Sequence, residues 1–220
     1  MHYVKIISIE NVTHNVKRFT IEKPQNYSFH PGQATEASID TPELKEEKRP
    51  FTFTCLPEDD HLEFTIKIYT DHDGVTNALG NLKIGDELIV RDVWGAIEYK
   101  GPGIFLAGGA GITPFIAIFR HLYKIGKVNS NKLIFSNKTS KDIILKDEFE
   151  KMLGKNFINI LSEEKEGNYE HGRIDEEYLK KTIDNFQQHF YICGPDAFVK
   201  DISEILTKLG ADTESVVFEK

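Results

Sequence analysis

Over the first hundred residues apolar and polar side chains alternate in short runs: YVKIISIENV (3–12), KRFTIEK (17–23), ATEASID (34–40), PFTFTCL (50–56), LEFTIKIYT (62–70) and DELIVRDV (86–93). A period of two puts one set of side chains on each face of a strand. The runs are rich in β-branched and aromatic residues, and the turn clusters KPQN, HPGQ, PEDD and KIGD separate them. Short strands at near-regular spacing predict a barrel or sandwich. One helix, GVTNALGNL (74–82), interrupts them.

From about residue 103 the pattern changes. GIFLAGG (103–109) reads as a buried strand and PFIAIFRHLYKIG (114–126) as a helix closed by Gly126. KLIFSN, LKDEFEKMLGK, FINILS, DEEYLKKTIDNF, HFYICG, PDAFVKDISEILTKLG and ESVVFE then alternate strand and helix. That alternation predicts a doubly wound parallel sheet with helices on both faces. The fold class is therefore two-domain, β followed by α/β. The joint is expected in EYKGPG (98–103), giving domains 1–100 and 101–220.

Composition narrows the function classes. Forty per cent of residues are apolar, enough for sizeable cores, and the formal net charge of −8 argues against nucleic acid and anionic membranes as partners. Two cysteines in no paired spacing argue against a disulfide framework, structural zinc or an iron–sulfur cluster. The N-terminus has no signal-peptide pattern, and no apolar run approaches the length of a membrane span. The expected setting is the cytoplasm. TDHDG (70–74) has Leu82 where an EF-hand needs an acid, and the eight histidines show no metal-binding spacing, so no metal site is expected.

The chemistry concentrates where strand turns into helix. LAGGAGITPF (106–115) places Gly108, Gly109 and Gly111 between the first parallel strand and its helix. There the backbone can approach a pyrophosphate, with Ile112 in the turn, Thr113 as helix cap and Pro114 at the first helical position. The pattern is GxGxxP from Gly109, so the usual dinucleotide fingerprint is absent, and a plain tight turn is the competing reading. Cys193-Gly194-Pro195 repeats the strand–glycine–helix arrangement, which a capped helix start would also explain.

In order along the chain, PGQ (31–33), RPFT (49–52), GVTNAL (74–79), GGAGITP (108–114), CGP (193–195) and VFEK (217–220) resemble the ferredoxin–NADP⁺ reductase superfamily. The likeness is to its short flavodoxin/ferredoxin reductase-like members without a fused iron–sulfur domain. The resemblance implies an antiparallel flavin-binding β-barrel followed by a nicotinamide-nucleotide domain. It implies that Arg49 contacts a flavin phosphate, that Phe51 packs on the isoalloxazine beside Pro50, and that Thr52 hydrogen-bonds near N5. Phe51 stands where the family usually has tyrosine. Gly74, Val75 and Thr76 would give a second phosphate contact, and Lys67, Ile68 and Tyr69 match the strand beside the flavin. Cys193 would lie near the nicotinamide. Phe218 and Glu219 would lie near the flavin, with Phe218 the candidate to cover its face. Thr52, Cys193 and Glu219 are thus the expected catalytic residues. Without the resemblance, RPFTFTC reads as an ordinary strand, Cys193 as a small buried side chain and Glu219 as part of a frayed terminus.

The implied activity is hydride transfer from NAD(P)H to FAD, with nicotinamide C4 and flavin N5 about 3–3.5 Å apart, then electron transfer to an external soluble carrier such as flavodoxin or ferredoxin through a transient contact. FAD rather than FMN follows from the resemblance alone. Alternatives are a non-catalytic flavin- or nucleotide-binding module and a reductase of free flavin. SNKTSK (136–141) follows the second parallel strand. Ser136 and Asn137 stand where an acidic residue would favour NAD, with Lys138 and Lys141 behind them, which tilts the expectation slightly toward NADPH; a polar turn entering a helix is the competing reading. SEEKEG (162–167) reads as solvated loop charge.

Overall fold

The computed structural model describes residues 1–71, 73–95, 97–165, 167–212 and, by backbone only, 216–218. The chain divides into two compact units, Met1–Gly95 with Thr113–Ile118, and Ala96–Ile112 with Phe119–Lys220.

The first unit contains β1 (His2–Thr13), β2 (Val16–Glu22), β3 (Ala34–Ile39), β4 (Arg49–Thr52), β5 (His61–Lys67), α1 (Val75–Leu79) and β6 (Glu87–Trp94). The strand order is β4-β3-β6-β1-β2-β5, and every neighbouring pair is antiparallel. The two ends of that order meet at one bridge, Phe53–Phe64, beside a 2.9 Å bond from Thr54 N to Glu63 O, which brings the sheet round into a barrel. Alternation does what the pattern predicts. Val4 and Ile6 of β1, Phe19 and Ile21 of β2, Leu62, Phe64 and Ile66 of β5, and Leu88 and Val90 of β6 fill one core. Burial of each such side chain contributes about 1.5–3 kcal/mol. Phe29 stacks on Phe53 at 4.3 Å between ring centroids.

Two elements are shorter than their runs. β4 ends at Thr52 and β5 at Lys67, so Ile68 and Tyr69 lie past the strand. Pro50 carries no N–H for a second ladder, and it sits in a strand at the end of the order, where such a residue is tolerated.

The second unit contains β7 (Gly103–Gly108), β8 (Lys132–Asn137), α3 (Lys146–Leu153), β9 (Phe157–Leu161), β10 (Glu170–His171), α4 (Glu176–Thr182), β11 (His189–Cys193), α5 (Asp196–Lys208) and β12 (Val216–Phe218); α2 (Thr113–Lys124) leads from β7 to β8. All neighbours in the order β10-β9-β8-β7-β11-β12 are parallel. β7 is buried along its whole length, as a central strand covered on both faces must be. On one face Leu106, Ile134, Ile160 and Ile192 pack with Leu179 of α4 and Leu206 of α5. On the other, Phe105 meets Phe119 of α2 at 4.5 Å and Tyr191 at 4.3 Å, and Phe149 of α3 lies 5.4 Å from Phe157. Gly126 follows α2 with φ +70, as a helix stop requires. The two-residue β10 is too short to leave a periodic signal in the sequence.

Candidate functional site

At the barrel's end the geometry starts from β4 and β5. They share the one bridge at Phe53–Phe64, and away from it β4 runs along β3 and β5 along β2. Arg49, Phe51 and Thr52 therefore lie on one flank of the divergence and Lys67 on the other. Arg49 is half-exposed; its guanidinium donates to Lys48 O at 2.6 Å and lies 3.7 Å from Glu47, both neighbours in its own loop. Phe51 is partly buried, 6.0 Å from the Phe64 ring, and Thr52 is buried. Lys67 Nζ sits 5.6 Å from the Tyr69 ring centroid, and Tyr69 is exposed.

α1 begins at an extended Gly74 with no side-chain cap and no acid in its first turn. Asp73, the acid just before it, does not cap the helix. Val75 is in the barrel core, so its side chain faces no ligand. The other end of α1 is closed by Lys17, whose ammonium donates to Gly80 O at 2.6 Å. Free amides at one end, with a guanidinium and an aromatic ring on β4, are the donor set that a phosphate-bearing flat ring needs. The residues present fit a flavin nucleotide.

In the second unit the first strand of the parallel sheet, β7, lies between β8 and β11, so the strand order reverses there. Ligands of doubly wound sheets bind in the crevice outside the carboxyl ends at such a switch point. Both glycine turns are at that edge, and they interlock. A Cβ on Gly111 would fall 2.3 Å from Cys193 O, and one on Gly194 would fall 3.2 Å from Gly108 Cα. These glycines are needed because one turn packs backbone-to-backbone on the other. Gly109 is different: its φ is +52 and nothing lies within 4 Å of where a Cβ would be. It is the glycine of this turn with open space beside it.

The start of α2 corrects one expectation. Gly109–Ile112 is a 3₁₀ turn running into the helix, Ile112 is the cap residue, and Thr113 is the first helical residue. The turn winds too early for the Thr113 hydroxyl to reach back, so no side chain caps α2. Pro114 is therefore the second helical residue rather than the first, still in the turn where no N–H is needed, and Ile112 is fully buried. Cys193 closes β11 and is buried, followed by Gly194 and Pro195 before α5. Cys55 has no part here: it accepts from Glu63 N at 3.2 Å in the barrel, and burial pushes its thiol up to about 12. Phe218 pairs with Ile192 through the backbone of β12, and Glu219 lies outside the described residues.

Beyond β8 the structure adds residues that the sequence reading set aside. The chain after β9 runs beside the chain after β8: Ser162 N donates to Asn137 O at 3.0 Å and Glu163 N to Lys138 O at 2.9 Å. Lys138 Nζ is 3.4 Å from Glu163 Oε1. Ser140 donates through N and Oγ to Glu164 Oε2 at 2.8 and 3.0 Å. Thr139 donates through N and Oγ1 to Asp142 at 2.9 and 2.8 Å. Ser136 is half-buried and opposite Gly108 in the register. Asn137 is 7% exposed, and its Nδ2 has no hydrogen-bond partner among the described residues. Leu145, the cap of α3, is in the left-handed region at φ 51, rare for a branched side chain. The signal for Glu163 and Glu164 was their place directly after a parallel strand, at the same edge as the glycine turns.

Two family models decide the relationship: "Oxidoreductase FAD-binding domain" matches residues 3–99 and "Oxidoreductase NAD-binding domain" matches 105–204. The chain belongs to the ferredoxin–NADP⁺ reductase superfamily. Among members of the superfamily, it is 25% identical to the reductase component of propane 2-monooxygenase from Rhodococcus jostii, across 98% of this chain and 62% of that one. It thus spans less than two thirds of that relative's length. It is 29% identical to NADH-cytochrome b5 reductase 2-A from Vanderwaltozyma polyspora, across 90% of this chain and 72% of that one. The fold matches a ferredoxin NADP⁺ reductase from Neisseria gonorrhoeae with bound FAD and NADP, at a TM-score of 0.86 and 19% identity, covering 99% of this chain and 97% of the other. No helix among the described residues is long and apolar enough to cross a membrane.

Proposed function

We propose that this member of the superfamily is an FAD-dependent NAD(P)H oxidoreductase that passes electrons to an external acceptor. The observation that carries the reading is the meeting of the two glycine turns at the switch point of the parallel sheet. Within the barrel, the divergent β4–β5 edge supports the flavin part of the reading. A flavin held by that barrel would supply the chemistry of taking up a hydride and giving up electrons singly.

The chain's own residues have the following roles. Arg49 and the amides from Gly74 to Thr76 bind flavin phosphates, and the guanidinium leaves its loop carbonyl to do so. Pro50 and Phe51 lie along the ring, as Lys67, Ile68 and Tyr69 do from the β5 side. Thr52 offers a buried hydroxyl to donate or accept near N5. Gly108, Gly109, Gly111, Ile112, Thr113 and Pro114 turn their backbone toward the pyrophosphate. Cys193, Gly194 and Pro195 border the nicotinamide. Glu219 and the side chain of Phe218 keep the roles that the superfamily resemblance gives them. The acceptor is a soluble carrier of the ferredoxin or flavodoxin kind, or an oxygenase such as the one served by the propane 2-monooxygenase reductase.

Anaerobic titration of the FAD-loaded chain with NADH and with NADPH tests the reading. Bleaching of the flavin band on a seconds timescale is expected with at least one nucleotide. A chain that retains no FAD, or retains it without bleaching, is not this enzyme; the second outcome identifies a binding module.

A further inference from the structure

We infer that a line of buried side chains on the barrel wall, Thr65, Thr54 and Glu63, carries a proton away from Thr52. This rests on the flavin site proposed above, where Thr52 stands near N5. The acid at the end of the line is Glu63, and not the Glu219 of the superfamily resemblance. The Phe53–Phe64 bridge sets the arrangement. Side chains alternate along each strand, so the residues flanking the bridge share the opposite face: Thr52 and Thr54 on one side, Thr65 and Glu63 on the other. Antiparallel register places Thr52 opposite Thr65 and Thr54 opposite Glu63. All four are buried, at 8% exposure or less. A buried carboxylate costs stability that an apolar side chain would not, and the barrel wall keeps one there.

The hydrogen bonds give the line a direction. Thr54 Oγ1 donates to Glu63 Oε1 at 2.7 Å. A hydroxyl has one proton to give, so toward Thr65 Oγ1, 3.3 Å away, Thr54 acts as acceptor. Thr65 therefore donates to Thr54, and its oxygen accepts on the face it shares with Thr52. Both hydroxyls point their protons toward the carboxylate, and each bond polarises the next. Beyond Glu63 the line leads outward: Arg18 Nε lies 3.8 Å from Glu63 Oε2, and Arg18 also pairs with the exposed Glu10.

Each pair of electrons passed from the flavin to the acceptor leaves one proton to be removed. Thr52 Oγ1 takes that proton and releases its own to Thr65. The shift continues to Thr54, and Glu63 ends as a neutral carboxylic acid. Glu63 then returns the proton to water beside Arg18 and Glu10. A hydride carries its hydrogen with its electron pair, so flavin reduction does not use the line.

The test compares the two half-reactions of the FAD-loaded chain in Glu63→Gln, Thr54→Val and Thr54→Ser. Oxidation of the reduced protein by ferricyanide should slow about tenfold or more in Glu63→Gln and Thr54→Val, and Thr54→Ser, which keeps the hydroxyl, should restore it. A pH-indicator dye in weak buffer should report proton release slowed in the same two variants. Bleaching by the nicotinamide nucleotide should keep its rate in all three. Equal slowing of both half-reactions marks a structural role and overturns the inference, as do oxidation and proton release that Glu63→Gln and Thr54→Val leave unmoved. Should Glu63→Gln fail to fold, the two Thr54 variants decide. Reduction by dithionite gives the same comparison, so a chain that neither nucleotide bleaches refutes the oxidoreductase reading while the relay is still read. A chain that retains no FAD overturns both.

Discussion

At Gly111 a single methyl group is enough to decide the local structure, because the Cys193 carbonyl oxygen already occupies its place. Gly111→Ala should lower stability by about 1–3 kcal/mol, as overpacking of a rigid contact does, and should weaken binding of either nicotinamide nucleotide; urea unfolding and binding calorimetry measure the two effects. Gly109→Ala meets open space and pays only for its left-handed backbone, about 1–2 kcal/mol. A larger loss at Gly109 than at Gly111 would contradict the packing account. Arg49→Ala should cost about 1.5–3 kcal/mol of FAD affinity through the lost charged hydrogen bonds, read as flavin released on gel filtration. The glycines were legible as a turn at a strand–helix junction, since three in four positions have few other uses. Their division of labour was not, because the partner of Gly111 lies more than eighty residues away in sequence.

The elements follow the hydrophobic period closely where they are long, and depart from it where another element intervenes. β4 ends at Thr52, where its partner β3 begins at Ala34, and α2 starts early because the 3₁₀ turn feeds it. The segment before β7 depends on one side chain of β11. Tyr191 Oη accepts from Lys100 N at 2.9 Å and Gly101 N at 3.0 Å, and donates to Gly101 O at 2.8 Å. Burial pushes this phenol above its ordinary range, so it keeps its proton at physiological pH. Tyr191→Phe leaves two amides without an acceptor and should destabilise the chain by about 1–3 kcal/mol, measured by thermal or urea unfolding. Glu176, at the start of α4, takes Lys180 at 2.6 Å and Lys208 of α5 at 2.5 Å, and these ammonium groups hold its carboxyl down at about 2 against an ordinary 4.5. The brace is complete above about pH 4.5 and is lost as pH falls toward 2. Melting curves between those pH values should fall more steeply for the natural chain than for Glu176→Gln, with the difference reduced in salt; parallel curves would remove the brace from the account.

For the whole molecule, a ligand that binds only the folded chain must raise its stability, and FAD at a hundred times its dissociation constant should add about 2.7 kcal/mol. A melting temperature indifferent to FAD would leave the barrel without its proposed occupant. The order of strands and helices was readable from the sequence because period-two runs give way to βα alternation near residue 103. The pairing of the loops after β8 and β9 was not, because nothing in SEEKEG or SNKTSK marks them as neighbours until the sheet lays one beside the other. The same sheet has a consequence for anyone who would transplant its parts. The segments 108–111 and 193–195 are fitted to each other as closely as a key to its wards. A loop grafted from a relative at one position will seat only if its counterpart travels with it, and random libraries that vary either segment alone should return few folded clones.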